Sequence, residues 1–295
     1  MTDYPSISVV IPSYNQGQFI EETILSVLGQ QYPNLEILVI DGGSTDNTIE
    51  ILEQYSDQLA YWHSQKDQGQ GDAINQGFRR CSGDIICWLN SDDMYLPGTL
   101  IDVGRRLRDR SDQNYCIYGN TVMIDQSGAR QESGRMQIAR PFDPETLTYL
   151  DFIPQPSSFW TRKLWQTVGE LDLDYYFVLD WDWFLRASKV AEFEYVPKFY
   201  SLYRIHESHK TGSGGNRRCQ EVTKIVHRYS SDYWTELYRE FERSYTDIQQ
   251  RSRFLGSLKI PRKYQHHFLS LLFPNLRSKL QASQHLFNAM EMYGI

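Results

Sequence analysis

The chain has 295 residues, 40% of them hydrophobic, and a formal net charge of −7 at pH 7. This length allows one large domain or two small ones, and the composition is typical of a globular protein with a sizeable core. The acidic balance disfavours nucleic acid as a partner, and no apolar run approaches the roughly 20 residues that span a bilayer.

The first hundred residues alternate between short apolar runs and helical stretches. Strands are predicted at 7–12, 35–40, 59–64 and 84–89, and helices at 16–31, 44–56, 69–83 and 97–109. Strands that are apolar on both faces and alternate with helices predict an α/β protein with a mostly parallel, doubly wound sheet. Ligands bind outside the carboxyl ends of such strands, so the polar clusters 13–15, 41–44 and 90–93 should meet at one rim.

The rest of the chain is less regular. Residues 114–125 with the turn 126–130 indicate a hairpin, 178–188 contain a helix start, and 193–206 predict one or two strands. From residue 216 the chain is predicted to be helical, and there it is basic, with 13 Lys and Arg against 7 Asp and Glu. The four cysteines are scattered without a CxxC pair, and no signal peptide is visible, which together suit packing thiols in a cytoplasmic protein.

Two adjacent carboxylates, Asp92 and Asp93, follow the apolar run 85–89, and no Lys or Arg lies nearby in the sequence. One interpretation is a solvated loop whose acids cap the helix that begins near Pro97. The position after a buried strand favours another: Mg²⁺ or Mn²⁺ is commonly held by one or two carboxylates together with substrate phosphates. The pattern therefore predicts an acidic shelf for a metal–diphosphate complex.

Residues 8–48, followed by 83–93, resemble the family-two inverting glycosyltransferases, which have the two-lobed GT-A fold of nucleotide-diphospho-sugar transferases. The resemblance covers about residues 6–211. It implies an inverting, non-processive sugar transfer that depends on Mn²⁺ or Mg²⁺, with a UDP-sugar as the commonest donor. Asn90-Ser91-Asp92-Asp93 matches the acidic metal motif, although Asn90 replaces the usual first carboxylate. We expect Asp93 on the metal and Asp92 shared between the metal and the ribose.

The resemblance also implies how the nucleotide sugar is held. Asp41, between an apolar strand and two glycines, is expected to recognise the nucleobase; the alternative is a turn aspartate. Tyr14 is expected to pack against the base, and the helix-opening segment 65–77 is expected to lie beside the diphosphate or the sugar. The expected contacts are Pro12, Tyr14, Asn15, Asp41, Gly43, Lys66, Asp67, Asp72, Asn90 and Asp92.

Asp180 and Asp182 stand one residue apart in an aromatic frame, with Arg186 following at helical spacing. Both acids could simply stabilise a helix N-terminus. The segment resembles the acidic base motif of the family, in which a carboxylate takes the proton of the attacking hydroxyl. Leu179 stands where an acid often precedes the key aspartate. We expect Asp180 to be the base and Asp182 the reserve, with Trp181 and Trp183 either on sugar faces or in the core.

Further expectations concern the metal and the acceptor. His206, at the end of a predicted strand, is expected to reach the metal or a phosphate, which makes the expected metal ligands Asp92, Asp93 and His206. Lys210 is expected to meet phosphate charge, and Gln155, Ser157 and Ser158 to shape the acceptor side. The QxxRW pattern of processive synthases is absent, which favours single transfers to a glycan or a lipid-linked glycan in polysaccharide or glycoconjugate biosynthesis.

The expected organisation is a GT-A domain over 1–215, with a nucleotide-binding half (1–110) and an acceptor half (111–215), followed by a basic helical extension over 216–295. Basic and apolar residues mix in 257–280. This segment could pack on the core or on another subunit, or it could bind the inner face of an anionic membrane and bring the enzyme to a lipid-linked acceptor.

Two other functions remain open at this point. A sugar-phosphate nucleotidyltransferase has a related fold, but its first loop should be glycine-rich with a basic residue, and the loop after residue 12 has neither Lys nor Arg. A non-catalytic sugar-nucleotide sensor is the third possibility. A dinucleotide dehydrogenase is disfavoured because no GxGxxG follows the first strand.

Overall fold

A computed structural model describes residues 4–129, 136–206, 210 and 214–257 of the chain. The segment 257–280, in which basic and apolar residues mix, lies almost entirely outside these residues. The structure therefore tests neither its packing on the core or another subunit nor its binding to a membrane. The strands are β1 (Ile7–Ser13), β2 (Leu35–Asp41), β3 (Tyr61–Ser64), β4 (Ile85–Trp88), β5 (Met94–Tyr95), β6 (Tyr115–Ile124), β7 (Met136–Gln137), β8 (Ser158–Thr161) and β9 (Glu192–Arg204). The helices are α1 (Ile20–Leu28), α2 (Thr48–Gln54), α3 (Gln70–Arg80), α4 (Thr99–Leu107), α5 (Pro144–Leu147), α6 (Arg162–Val168), α7 (Leu179–Ala187), α8 (Gly215–Tyr229) and α9 (Asp232–Ser257).

One sheet runs through the described residues, in the order β3-β2-β1-β4-β8-β6-β9-β5, with β7 paired to β6. Strands β1 to β4 pair in parallel, as the alternation of strands and helices predicts. Strand β8 then enters antiparallel between β4 and β6, and β9 lies parallel to β6. The predicted hairpin is present as β6 and β7. The stretch 193–206 forms a single strand, β9, and its pairing with the two-residue strand β5 was not predicted.

The N-terminal sheet is covered on both faces. Residues of β1 and β4 are almost wholly buried, which explains why these strands are mostly apolar. Helix α3 lies very close to β1, because a Cβ on Gly77 would stand only 2.4 Å from Val10 Cγ1. This close approach fixes the start of α3 relative to the carboxyl end of β1, where the site lies.

Helix α4 is tied to β9 by an ionic cluster. Asp102 accepts hydrogen bonds from Arg106 (2.9 Å), Lys198 (2.8 Å) and the Tyr200 hydroxyl (2.6 Å). Burial raises the pKa of Asp102, but the three hydrogen-bond donors outweigh it and hold the pKa at about 2. The cluster anchors β9, whose C-terminal end reaches the acidic loop after β4.

The contacts divide the chain into two compact units. The first contains the described residues up to Phe142, together with Phe152–Asp174 and Leu179–His206; the second contains Asp143–Asp151, Tyr175–Val178 and the described residues after His206. Within the second unit, α8 and α9 pack through buried apolar side chains, and the rings of Tyr149 and Trp234 stack at 3.7 Å.

Two expectations from composition meet the structure directly. All four cysteines are buried and form no disulfide, and burial raises the pKa of Cys87 to about 12, as expected of packing thiols. Among the described residues, no helix combines the length and the apolar character that crossing a membrane requires.

Candidate active site

The ends of three parallel strands bring the predicted polar clusters to one rim. Ser13 lies opposite Asp41 in the register of β1 and β2, and Asp41 lies opposite Ser64 in that of β2 and β3. Strand β4 pairs with the other side of β1, and its chain continues beside β1 with the Leu89 amide bonded to the Val10 carbonyl at 2.9 Å. The convergence expected from the sheet topology is therefore present.

Asp41 holds the loop that follows β2. Its buried carboxylate accepts hydrogen bonds from the Gly43 and Ser44 amides at 3.1 and 2.8 Å, and from the hydroxyls of Ser44 and Ser64 at 2.5 and 2.6 Å. Gly43 has a φ of +87°, which suits glycine. Four bonds to one buried carboxylate fix the backbone of this loop, while the side chain itself has no exposed surface.

The loop after β1 is locked to the loop after β2. The Asn15 amide donates to Ser44 Oγ at 2.7 Å, and Asn15 Oδ1 accepts from the Thr45 amide at 2.8 Å. Asn15 has a φ of +51°, a conformation in which asparagine is more common than most residues. Pro12 is buried in β1, whereas Tyr14 is 61% exposed. The rim therefore presents an aromatic ring to solvent on a rigid double loop.

The third loop, 65–69, carries Asp67, and Asp72 follows it in the first turn of α3. Asp67 accepts from the Gly69 amide at 2.7 Å, and its Oδ2 would lie 2.9 Å from a Cβ on Gly42. Burial raises the pKa of Asp67, and the nearby charges of Asp72 and Asp41 act in the same direction, against the bond from Gly69. Asp72 caps its own segment by accepting from the Gln68 amide at 3.1 Å.

Lys66 is exposed beside these acids, and its backbone nitrogen would lie 3.3 Å from a Cβ on Gly43. The segment after β3 thus packs directly against the Asp41 loop. Lys66 brings an exposed positive charge to a rim that carries several acids.

In the acidic loop after β4, Asn90 connects three parts of the rim. Its Oδ1 accepts from Gln70 Nε2 at 2.7 Å, and its Nδ2 donates to Asp93 Oδ2 at 3.1 Å. The same Nδ2 lies 3.5 Å from Gln155 Oε1, while Gln155 Nε2 donates to the Trp88 carbonyl at 2.9 Å. Asn90 thereby joins helix α3 to the aspartate pair.

Asp92 and Asp93 occupy different environments. Asp93 is wholly buried, with Oδ1 accepting from the Arg204 amide at 3.0 Å and Oδ2 from Asn90. Burial and the neighbouring charge of Asp92 raise its pKa well above the usual range, and the bonds from Arg204 and Asn90 only oppose this. The Asp92 side chain is 19% exposed, and its Oδ2 lies 3.0 Å from His206 Nε2.

Sequence reasoning missed Arg204. Its buried guanidinium donates to the Asp92 carbonyl at 3.0 Å and the Gln126 carbonyl at 2.9 Å, and it pairs with Glu22. It also lies over the Phe19 ring, at 4.9 Å from the centroid, and the same ring contacts His206. No Lys or Arg is near the acids in the sequence, but the fold brings Arg204 beside them from 112 positions away. Arg204 ends a strand that also contains Glu192, Glu194 and Lys198, so its charge gave no distinct signal in the sequence.

Asp180 and Asp182 also differ in burial and in their partners. Asp182 is fully buried and paired with Arg186 at 2.8 Å, whereas Asp180 is partly exposed and accepts from the Trp181 amide at 2.9 Å. Leu179 lies near the start of α3, since its Cδ2 would stand 3.9 Å from a Cβ on Gly71. Helix α7 thus begins beside the helix that opens at the rim.

Of the two alternatives for Trp181 and Trp183, the structure supports the core. Trp181 and Trp183 have no exposed surface, and Trp183 stacks in an aromatic core at 4.5 Å from Trp160, so neither can cover a sugar face. Ser157 is also buried, bonding the Asn120 carbonyl at 2.8 Å. Gln155 and Ser158 are likewise bonded inside the protein. Lys210 lies over the Tyr176 ring at 4.1 Å from its centroid.

The donor atoms at the acidic loop fit a divalent cation in part. Within residues 4–129, 136–206, 210 and 214–257, no three His, Cys, Asp or Glu side chains form a ready metal cluster. Asp92 and His206 nevertheless converge within 3.0 Å. A carboxylate is a usual ligand of Mn²⁺ and Mg²⁺, which take their remaining ligands from substrate phosphates and water. Asp92 and His206 are therefore the protein ligands that this site can offer.

Comparison with known proteins gives a consistent result. The sequence model of a family described as glycosyl transferase family 2 matches residues 8–162. An uncharacterized glycosyltransferase of Rickettsia bellii is 35% identical over 272 residues, which make up 89% of this chain and 39% of that protein. This chain thus spans about two fifths of the length of that relative.

Two solved structures are similar in fold. S. aureus TarS 1-349 in complex with UDP has a TM-score of 0.57 at 15% identity, covering 98% of this chain and 90% of that one. Mannosyltransferase PcManGT from Pyrobaculum calidifontis, in complex with GDP-Man and Mn²⁺, has a TM-score of 0.58 at 16% identity, covering 99% and 88%. These likenesses confirm the fold that the sequence predicts.

Proposed function

The chain belongs to glycosyl transferase family 2, and on that premise we propose that it transfers a sugar, with inversion, from a nucleotide-diphosphate sugar to an acceptor hydroxyl. The observation that carries the proposal is the pairing of Asp92 with His206 at 3.0 Å beside the locked loops of the rim. A carboxylate and an imidazole that face each other at the carboxyl ends of parallel strands suit a cation that binds a diphosphate.

The proposed nucleotide contacts divide by exposure. Tyr14, Asn15 and Lys66 have exposed side chains, so they can meet the base, the ribose and the phosphates. The buried residues Asp41 and Gly43 shape the loop that the nucleotide meets, since the Asp41 carboxylate is occupied by four internal bonds. A UDP-sugar is the proposed donor, in keeping with TarS, which binds UDP. Pro12, Asp67, Asp72, Asn90 and Asp92 complete the proposed lining of the donor site.

Asp92 and His206 are the proposed protein ligands of Mn²⁺ or Mg²⁺. When bound, the cation would neutralise the negative charge of the departing nucleoside diphosphate. Asp93, which the resemblance implied as a ligand, is wholly buried, with both oxygens accepting bonds from the protein. We assign it the role of holding the loop so that the Asp92 carboxylate faces outward.

Asp180 is the proposed general base. The acceptor oxygen attacks the anomeric carbon, the Asp180 carboxylate takes the hydroxyl proton, and the bond from the anomeric carbon to the diphosphate oxygen breaks with its electron pair on the diphosphate. An oriented base contributes about 10²- to 10⁴-fold to such a step. Asp182 is less suited, because it is buried and paired with Arg186. The acceptor is proposed to be a glycan or a lipid-linked glycan, modified in single transfers.

A thermal-shift screen of nucleotide sugars, with and without Mn²⁺, tests the proposal. We expect a UDP-sugar to raise the melting temperature of the wild type only when Mn²⁺ is present. Asp92→Asn should lose this shift, whereas the control Asp57→Asn, at an exposed position away from the rim, should keep it. An equal shift without metal, or a full shift in Asp92→Asn, would contradict the proposed site.

A further inference from the structure

The loop Tyr175–Val178 precedes helix α7, and it belongs to the same compact unit as helix α8. Val178 is followed directly by Leu179, and Asp180 is the third residue after Phe177. Whatever holds this loop therefore bears on the position of Asp180 through only a few peptide units.

Glu221 of α8 holds the loop through its backbone. Its Oε2 accepts from the Tyr176 amide at 2.9 Å and from the Phe177 amide at 2.6 Å. The Glu221 residue is only 8% exposed, so these bonds are largely shielded from water. Hydrogen bonds to a charged acceptor are the stronger kind, and two of them on one oxygen fix two successive peptide groups.

Cationic side chains of the same unit reinforce the attachment. Arg217 Nε pairs with Glu221 at 3.4 Å, and the Arg217 guanidinium lies over the Tyr176 ring at 4.6 Å from its centroid. Lys224 lies over the Tyr175 ring at 4.7 Å. The loop is thus held by α8 through its backbone and through two of its aromatic rings.

We infer that Glu221 is a positioning residue for the transfer reaction, and that it acts on Asp180 along the chain, through the peptide groups of residues 176 and 177. The inference rests on the proposed function, in which Asp180 is the base. Proton transfer and attack require a near-attack geometry, and a misplacement of about 1 Å can cost about 10²-fold in rate. Glu221 does not touch the substrate; it acts by fixing the peptide groups of residues 176 and 177.

Two variants of Glu221 separate the effect of side-chain length from the effect of side-chain charge. Glu221→Gln keeps an oxygen at the same distance from the backbone and can still accept both bonds. Glu221→Asp keeps the charge but withdraws the carboxylate by one methylene. The matched control is Thr223→Val, also on α8, which removes the hydroxyl bond to the Tyr238 carbonyl (3.4 Å) and leaves Glu221 unchanged.

We expect Glu221→Asp to lower kcat by about 10- to 100-fold, with the donor KM within about 3-fold of wild type, because the proposed lining of the donor site includes no residue of the loop. Glu221→Gln should stay within about 5-fold of the wild-type kcat, since a neutral acceptor weakens the bonds without removing them. Amide hydrogen exchange should increase at residues 176 and 177 in Glu221→Asp alone. Thr223→Val should keep the wild-type kcat.

The outcomes that overturn the inference are distinct from those that overturn the proposed function. A wild-type kcat in Glu221→Asp, while the wild-type enzyme transfers sugar, refutes the role of Glu221 alone. An equal loss of kcat in Thr223→Val would mean that α8 matters only for stability, and it refutes that role too. Absence of transfer by the wild-type chain with every nucleotide sugar would refute the proposed function as well.

Discussion

The substitution Arg204→Met removes a buried guanidinium but keeps an unbranched apolar side chain in place of its aliphatic part. The backbone amide of residue 204 still donates to Asp93 after the change, so the bond at 3.0 Å is retained. What disappears are the bonds to the carbonyls of Asp92 and Gln126 and the pair with Glu22. The perturbation therefore isolates the contribution of the side chain to the acidic loop.

The loss of stability in Arg204→Met depends on the groups that lose their bond to the guanidinium. Glu22 is 54% exposed, so water can replace the guanidinium there at little cost. Each bond from a charged donor to a carbonyl contributes about 1.5–3 kcal/mol, and the exposed turn at Gln126 recovers part of its share by hydration. We therefore expect a loss of about 2–4 kcal/mol in the free energy of unfolding. In a chain of this size that corresponds to a fall of about 4–10 °C in Tm.

Thermal unfolding of Arg204→Met and of a control variant provides the measurement. Arg79→Met is a suitable control, because Arg79 pairs with Glu170 on the surface, where the two side chains are 50% and 43% exposed. Exposed pairs contribute about 0–1 kcal/mol, so the control should lose less than about 3 °C. A difference of about 1 °C in Tm corresponds to about 0.3 kcal/mol. If the two variants melt within about 1 °C of each other, Arg204 does not organise the loop.

The remaining predictions concern the base, the α4 cluster and the packing of α3. Asp180→Asn should keep the wild-type Tm and lose about 10²- to 10⁴-fold in kcat. Asp182→Ala should lose about 3–5 kcal/mol in the free energy of unfolding. If Asp180→Asn lost both stability and kcat, the separation of a catalytic Asp180 from a structural Asp182 would be contradicted. Asp102→Asn should be about 2–3 kcal/mol less stable than wild type at pH 7, since the folded pKa of Asp102 is about 2 despite burial, which raises it. A carboxyl group whose pKa is lowered by folding stabilises the folded state above its unfolded pKa, near 3.9, and this stabilisation is lost as pH falls through about 2. In urea titrations, the difference in free energy of unfolding between wild type and Asp102→Asn should therefore shrink below about pH 4 and vanish near pH 2. Gly77→Ala should cost about 1–3 kcal/mol, because its Cβ would overlap Val10 at 2.4 Å, and unchanged urea unfolding would contradict that close approach.

The N-terminal half of the fold could be predicted because its signals are local. Strands β1 and β4 are buried on both faces and are therefore mostly apolar, and the polar residues that follow or end the parallel strands are visible in the sequence. Parallel pairing then places Ser13, Asp41 and Asn90 at one rim without any further information.

The sequence could not show which of two similar acids is buried. Asp92 and Asp93 are adjacent, and Asp180 and Asp182 are two residues apart, yet one member of each pair is sealed in the protein. For Asp93 the partner is distant: the Arg204 amide comes from 111 positions away. Such pairings depend on the register of β5 with β9, and a two-residue strand leaves no periodic signal.

The same reason explains why the attachment of the α7 loop was not predicted. Glu221 contacts the Tyr176 amide from 45 positions away, within a helix that the sequence predicts only as basic and helical. A carboxylate on a basic helix has no pattern that points to a backbone amide elsewhere in the chain.

The central claim is that Asp92 and His206 hold a cation, and through it the diphosphate of the donor. Titration of Mn²⁺ into the chain, with and without saturating UDP, followed by the electron paramagnetic resonance signal of free Mn²⁺, tests it directly. We expect the wild type to bind one Mn²⁺ tightly only with UDP, and Asp92→Asn and His206→Ala each to weaken that binding by about 10-fold or more. Wild-type Mn²⁺ affinity in both variants would contradict the claim.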